Sequence, residues 1–159
     1  MAKVRAGGER KLVKVAIAVW PALFLVAAPA FGVLGGSVDS VQADQQRLRG
    51  QLISLARDRY TLHQINAPDG TVVREYASPS GQIFGVAWQG PTMPDLSPLL
   101  GSRFADFQQA VRSSPRRRGP VVVRVGQFVL ESGGHLRAFH GRAYLADLLP
   151  DNVSQAVVK

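Results

Sequence analysis

Cysteine is absent from this 159-residue chain. That excludes disulfides, a thiolate nucleophile, cysteine-ligated zinc and lipid attachment through an N-terminal cysteine. Histidine is scarce, at three residues, and neither a paired-histidine zinc spacing nor an acidic calcium loop is present. The Gly-x-Ser-x-Gly elbow is missing, so Ser132 beside two glycines reads as turn chemistry and not as a nucleophile. Gly32 to Gly36 lacks the Gly-Lys-Ser/Thr ending of a phosphate loop. No cofactor and no metal site is expected. Acidic residues are also few, 11 against 19 basic, and the carboxylates are scattered. The longest apolar run, Val15 to Ala28, is about 14 residues, short of the roughly 20 that a membrane-crossing helix needs unless it extends through Leu34.

What is present begins with an export pattern. Lys3, Arg5, Arg10, Lys11 and Lys14 against Glu9 alone form a basic leader that carries half of the formal +8 charge. Val15 to Ala28 follows as an apolar run, and Ala28-Pro29-Ala30 offers small residues where a signal peptidase cuts. Residues 1–30 are therefore read as a secretory signal cleaved after Ala30, with transient membrane association, and residues 31–159 as one exported domain in periplasm or medium. The alternative is an uncleaved inner-membrane anchor extended through Phe31-Gly32-Val33-Leu34.

In the remainder, Asp39 with Gln42 marks a helix start. Val41, Leu48, Leu52 and Leu55 form one apolar stripe, which predicts a helix running to Leu55. From Tyr60 the period changes. Tyr60 to Ile65, the Pro68-Asp69-Gly70 turn, Thr71 to Tyr76, the Ser78-Pro79-Ser80-Gly81 turn and Gln82 to Trp88 predict a three-stranded meander. Phe84, Val86 and Trp88 should share one face, with the small Gly85 and Ala87 opposite. A second helix is expected after Asp95 or Ser97, with Leu96, Leu100, Phe104, Phe107 and Val111 recurring at helical spacing and Gly101 dividing it. Strands follow at Val121 to Val125, Phe128 to Glu131 and His135 to Tyr144, the last two joined by a turn at Ser132-Gly133-Gly134. The fold class is α+β, a mostly antiparallel sheet with helices on one face, with element order suggesting tandem α-β-β-β units.

The chemistry-bearing residues are few. Arg116, Arg117 and Arg118 form the only charge run outside the leader and suit phosphate or sulfate recognition. His135, Arg137, His140 and Arg142 make the densest polar cluster. These seven are the candidate binding residues, for an envelope protein, a glycan or an anionic surface. Nucleic acid is disfavoured by the export pattern and the lack of stacking aromatics. The alternative is a small hydrolase or metal-dependent enzyme built on Glu131, His135 and His140. In one regular strand, however, the five-residue spacing puts the two histidines on opposite faces.

Several separated blocks carry a resemblance. Tyr60-Thr61-Leu62-His63, Gly70-Thr71-Val72-Val73-Arg74-Glu75-Tyr76, Val86-Ala87-Trp88-Gln89-Gly90-Pro91, Pro94-Asp95-Leu96 and Glu131 to Tyr144 together resemble the small exported bacterial proteins grouped as domain of unknown function 2844. The resemblance implies a Gram-negative envelope or secreted protein of unassigned activity, and it carries no catalytic residue over. The leading expectation is a non-catalytic binding or structural module.

Overall fold

A computed structural model describes residues 34–113 and 119–159. The expected signal, residues 1–30, lies outside the described residues. Seven strands form one antiparallel sheet: β1 (Gln51–Ala56), β2 (Thr61–Asn66), β3 (Val72–Ala77), β4 (Ile83–Gly90), β5 (Val121–Val125), β6 (Phe128–His135) and β7 (Ala138–Leu145), in the order β1-β2-β3-β4-β7-β6-β5. Helix α1 (Val41–Leu48) precedes the first strands. Helices α2 (Leu96–Leu100) and α3 (Phe104–Ser113) precede the last three. A helix followed by a meander therefore occurs twice, and the final strands of the two meanders, β4 and β7, pair at the centre.

The helix expected to reach Leu55 stops at Leu48. Arg49 takes a left-handed conformation (φ 51°) and β1 begins two residues later. Gly50 makes this close turn workable, because a Cβ there would lie 2.6 Å from Ile65 Cγ2 and 2.9 Å from the Asn66 carbonyl oxygen. Leu52 belongs to the helix stripe and also to the inward row of a strand, so helical spacing alone misread it. The first meander thus gains a fourth strand. Both expected turns form as read: Gly70 and Gly81 have φ of 87° and 80°. Gly101 divides the second helical region, and Asp95 is the cap, accepting from Ser97 N at 2.9 Å.

Paired residues in adjacent strands point to the same face, so the register defines two surfaces. On one, Ile65, Val73, Val86, Trp88, Val123, Leu130 and Ala143 meet Leu96, Leu99 and Leu100 of α2, with Phe104 and Phe107 of α3 and Leu48 of α1 against them. All three helices cover this face. The other face is covered by the segment from 146 to 159, whose Val153, Val157 and Val158 pack with Tyr76, Ala87 and Tyr144. An irregularity between Tyr76 and Ala77 leaves Phe84 without a partner on β3. Phe84 consequently joins Tyr60 and Tyr76 on this second face, separated from Val86 and Trp88. A β-bulge shifts the alternation by one residue.

The small face of β4 admits a close neighbour, as its composition predicts. A Cβ on Gly85 would lie 2.7 Å from Val158 Cγ2, and Val158 is fully buried. Val158→Ala should therefore cost about 2 kcal/mol by loss of packing. Urea unfolding with less than about 0.5 kcal/mol of change would mean that the segment only lies loosely on the sheet.

Candidate functional site

The hairpin at the end of the chain differs from its sequence reading. β6 runs through Ser132, Gly133 and Gly134 to His135, and the turn is Leu136-Arg137, with Arg137 at φ 68°. Gly133 and Gly134 serve close packing within the strand pair. A Cβ on Gly134 would lie 2.2 Å from the Ala138 carbonyl oxygen, and one on Gly133 would lie 3.4 Å from both His140 Nε2 and Pro120 Cβ. The shift also reverses the expectation for the histidines. Because the turn falls between them, His140 pairs with Gly133, two residues from His135, and both histidines share a face with Glu131 and Arg142.

That face is the one crossed by the C-terminal segment. Arg142 Nε donates to Glu131 Oε2 at 2.9 Å, and Arg142 Nη2 lies 2.8 Å from the same oxygen. Arg142 Nη1 donates to the Val158 carbonyl (3.3 Å), and its guanidinium lies 5.9 Å from the centre of the Tyr144 ring. Arg124 Nη2 approaches Glu131 Oε1 at 3.9 Å. One carboxylate thus orients Arg142 and attracts a second arginine from the edge strand. Four supports around one planar guanidinium leave it little rotameric freedom, which favours directional anion recognition.

A pocket of about 530 Å³ opens here, lined by Gln89, Pro120, Val122, Glu131, His140, Arg142 and Lys159, with backbone of β4, β6 and β7 as its floor. Beside it, a second pocket of about 470 Å³ is lined by Arg57, Tyr60, Leu62, Arg74, Tyr76, Gln89, Val157 and Lys159. Gln89 and Lys159 belong to both. Lys159 is held between Tyr76 and Arg74: its N–H donates to Tyr76 Oη (3.1 Å), and its carbonyl accepts from Tyr76 Oη (2.8 Å) and Arg74 Nη1 (3.5 Å). Arg74 is further fixed through Nε to Gln64 Oε1 at 3.1 Å. Burial raises the Tyr76 phenol above its ordinary pKa, so its hydroxyl remains a donor at neutral pH. The two pockets adjoin at Gln89 and Lys159 and together make a groove, with Arg142 and Glu131 in its first part and Arg57 and Arg74 in its second.

Of the seven sequence candidates, His140 and Arg142 line this groove. His135 and Arg137 stand exposed at the hairpin tip, where His135 Nδ1 lies 3.2 Å from the Leu136 carbonyl oxygen. Arg116, Arg117 and Arg118 lie outside the described residues. Glu131, required by the enzymatic alternative, is committed to Arg142. Among the described residues no group of three or more histidine or carboxylate side chains is placed to hold a metal ion. Sequence reasoning missed Arg57, Arg74, Gln89 and Lys159. Arg74 had a signal: it alternates with inward Val73 and Glu75 in a strand whose outward neighbours are Val72 and Tyr76.

A second polar group lies under α1. Asp44 and Glu75 are 0% and 1% exposed, and Asp44 is paired with Arg47. His63 stands opposite Glu75 on β2, with Nδ1 2.8 Å from Ser54 Oγ. Burial, reinforced by the nearby Asp44 carboxyl, pushes Glu75 up to about 8. Burial also raises Asp44, against the opposing pull of Arg47, and lowers His63. The two carboxyls at its centre are closed to solvent, while His63 is half-buried and Ser54 exposed at its margin, so the cluster belongs to the fold's stability.

One protein-family model, described as "Protein of unknown function (DUF2844)", matches residues 30–158. No curated protein and no solved structure matches the chain.

Proposed function

The chain belongs to that DUF2844 family, and on this footing we propose that it is a non-catalytic envelope module that binds an anionic glycan along the groove of its second sheet face. The observation that carries the reading is the pair of adjoining pockets that share Gln89 and Lys159, one lined by Glu131, His140 and Arg142 and the other by Arg57 and Arg74. Guanidinium groups bind carboxylate or sulfate. Gln89, His140 and Glu131 exchange hydrogen bonds with sugar hydroxyls, and Val122, Pro120 and Tyr60 give apolar walls for ring faces. Two adjoining pockets suit an extended polymer better than a compact ligand. The leader of residues 1–30 supports export to the compartment where such polymers occur.

Titration with alginate or polygalacturonate oligomers, against neutral dextran as control, tests this. Arg74→Gln and Arg142→Gln should each weaken the acidic oligomer by roughly 10-fold, as expected for a lost charged hydrogen bond. Affinity should also fall with added salt. Arg103→Gln, on the helical side and paired with Asp106 at 3.6 Å, should change nothing. Equal binding of dextran, or wild-type affinity in both groove variants, rejects the reading.

A further inference from the structure

The two edges of the sheet are not equally protected. β5 begins beside Pro120 and carries Arg124, two features that discourage pairing at an exposed edge. The other edge, β1, reads Gln-Leu-Ile-Ser-Leu-Ala. It has no charge, no proline and no bulge against β2, and five of its six residues are exposed. Ile53 and Leu55 are 45% and 40% exposed on the groove side.

The hydrogen-bond phase of this edge follows from its hairpin. Arg57 N–H donates to the Tyr60 carbonyl at 2.8 Å, so Leu55, Ile53 and Gln51 are the residues that exchange bonds with β2. The N–H and C=O groups of Leu52, Ser54 and Ala56 therefore point away from the sheet. We propose that β1 is a homodimerisation edge, at which a second copy of this chain adds antiparallel about a twofold axis through Ser54 and extends the sheet across both copies.

The register is self-complementary in three respects. Each outward residue finds an outward residue: Ser54 meets its own counterpart, and Leu52 meets Ala56 of the second copy, which gives about six new backbone hydrogen bonds. Ile53 falls opposite Leu55 of the second copy, so both exposed apolar side chains are covered twice over by symmetry. The nearest charge, Arg57, falls opposite Gln51, so no like charges meet directly across the new ladder. Shifting the register by one residue would oppose residues that point to different faces, which a pleated pair does not allow. A twofold axis perpendicular to the sheet also leaves both grooves on the same side.

The contact is one strand wide, so a weak dimer in the micromolar range is expected. Sedimentation of the purified chain from about 1 to 500 μM should show a monomer–dimer equilibrium. Ser54→Pro keeps every backbone bond to β2, because residue 54 directs its N–H outward, and loses only the Ser54 Oγ contact with His63 Nδ1; it should weaken the dimer by at least about 30-fold with the circular dichroism spectrum retained. The cysteine-free background allows a positional test. In the proposed pair the two residue-54 Cα atoms would be about 5.5 Å apart, within disulfide reach, so Ser54→Cys should crosslink readily on mild oxidation. Ser80→Cys, exposed on the β3–β4 turn, should not. A monomer throughout the range, a dimer indifferent to Ser54→Pro, or equal crosslinking at both positions overturns the proposal. Capture of an unrelated extended peptide at β1 by a chain that stays monomeric also overturns it.

Discussion

Gly141→Ala should destabilise the protein by about 3 kcal/mol or more, the upper range for overpacking a core. A Cβ at this position would lie 2.3 Å from Trp88 Cζ2, 2.6 Å from Trp88 Cε2 and 2.8 Å from the Glu131 carbonyl oxygen. Trp88 is opposite Gly141 in the β4–β7 register and 1% exposed within the main core, so the indole cannot swing into solvent. Retreat in the other direction is blocked by the backbone of β6. The indole thus covers the glycine of the neighbouring strand and replaces the side chain that strand lacks there. Against a total stability of about 5–15 kcal/mol for a domain, the loss should move the urea midpoint far below that of the parent. A double-mutant cycle identifies the cause: Trp88→Leu alone should cost about 3 kcal/mol, and combining it with Gly141→Ala should cost clearly less than the sum. Additive losses would place the clash elsewhere, and a Gly141→Ala protein within 0.5 kcal/mol of the parent would refute the packing argument.

Stability should fall as pH rises from 6.5 to 8, and Glu75→Gln should abolish most of that fall. Glu75 titrates near 8 when folded, against 4.5 when unfolded. Between those values the folded chain holds a proton that the unfolded chain has released, so each upward step in pH favours unfolding. The stabilisation is complete below about 4.5 and gone above about 8. His63 acts in the opposite sense: its folded pKa is lowered from 6.5 by burial, so its contribution is present above 6.5 and lost as pH falls below it. Asp44, whose carboxyl is also raised by burial, acts in the same sense as Glu75, so the decline from 6.5 to 8 belongs to this carboxyl pair and lies above the range in which His63 is lost. At a limiting slope of about 1.4 kcal/mol per pH unit, the parent should lose roughly 2 kcal/mol over that interval. Glu75→Gln, neutral at every pH, should match the parent near pH 5 and exceed it by about 4 kcal/mol at pH 8.5, the loss accumulated over the whole interval. Urea midpoints from pH 5 to 9 give both curves, and parallel curves would show that Glu75 does not titrate in this interval. The cause is physical: two carboxyls sealed under α1 cannot both ionise with Arg47 as their cation.

Much of the architecture was legible because it depends on local chemistry. Pro68-Asp69-Gly70 and Ser78-Pro79-Ser80-Gly81 specify their turns through glycines at positive φ, and Asp95 specifies a helix start through a side-chain acceptor. The misreadings share another cause. Leu52 fits both a helical stripe and a strand row, and the choice was made by the contact of Gly50 with Ile65 and Asn66. Ser132-Gly133-Gly134 has turn composition, yet its glycines are needed where β6 passes close to His140, Ala138 and Pro120. Phe84 changed faces through a bulge invisible to simple alternation.

The groove was legible only in part for the same reason. His140 and Arg142 stood out as a polar cluster near one another in sequence. Arg57, Arg74 and Lys159 are far apart in the chain and meet only because β4 pairs with β7 and the C-terminal segment lies across both meanders. Composition and short-range spacing by themselves determined the α+β class, the turns, the second helix with its break at Gly101, and the impossibility of thiol chemistry. Strand order, the face on which each arginine emerges, the burial of Glu75 against Asp44 and the exposed edge of β1 were decided by tertiary structure, because each depends on contacts between residues that no local propensity brings together.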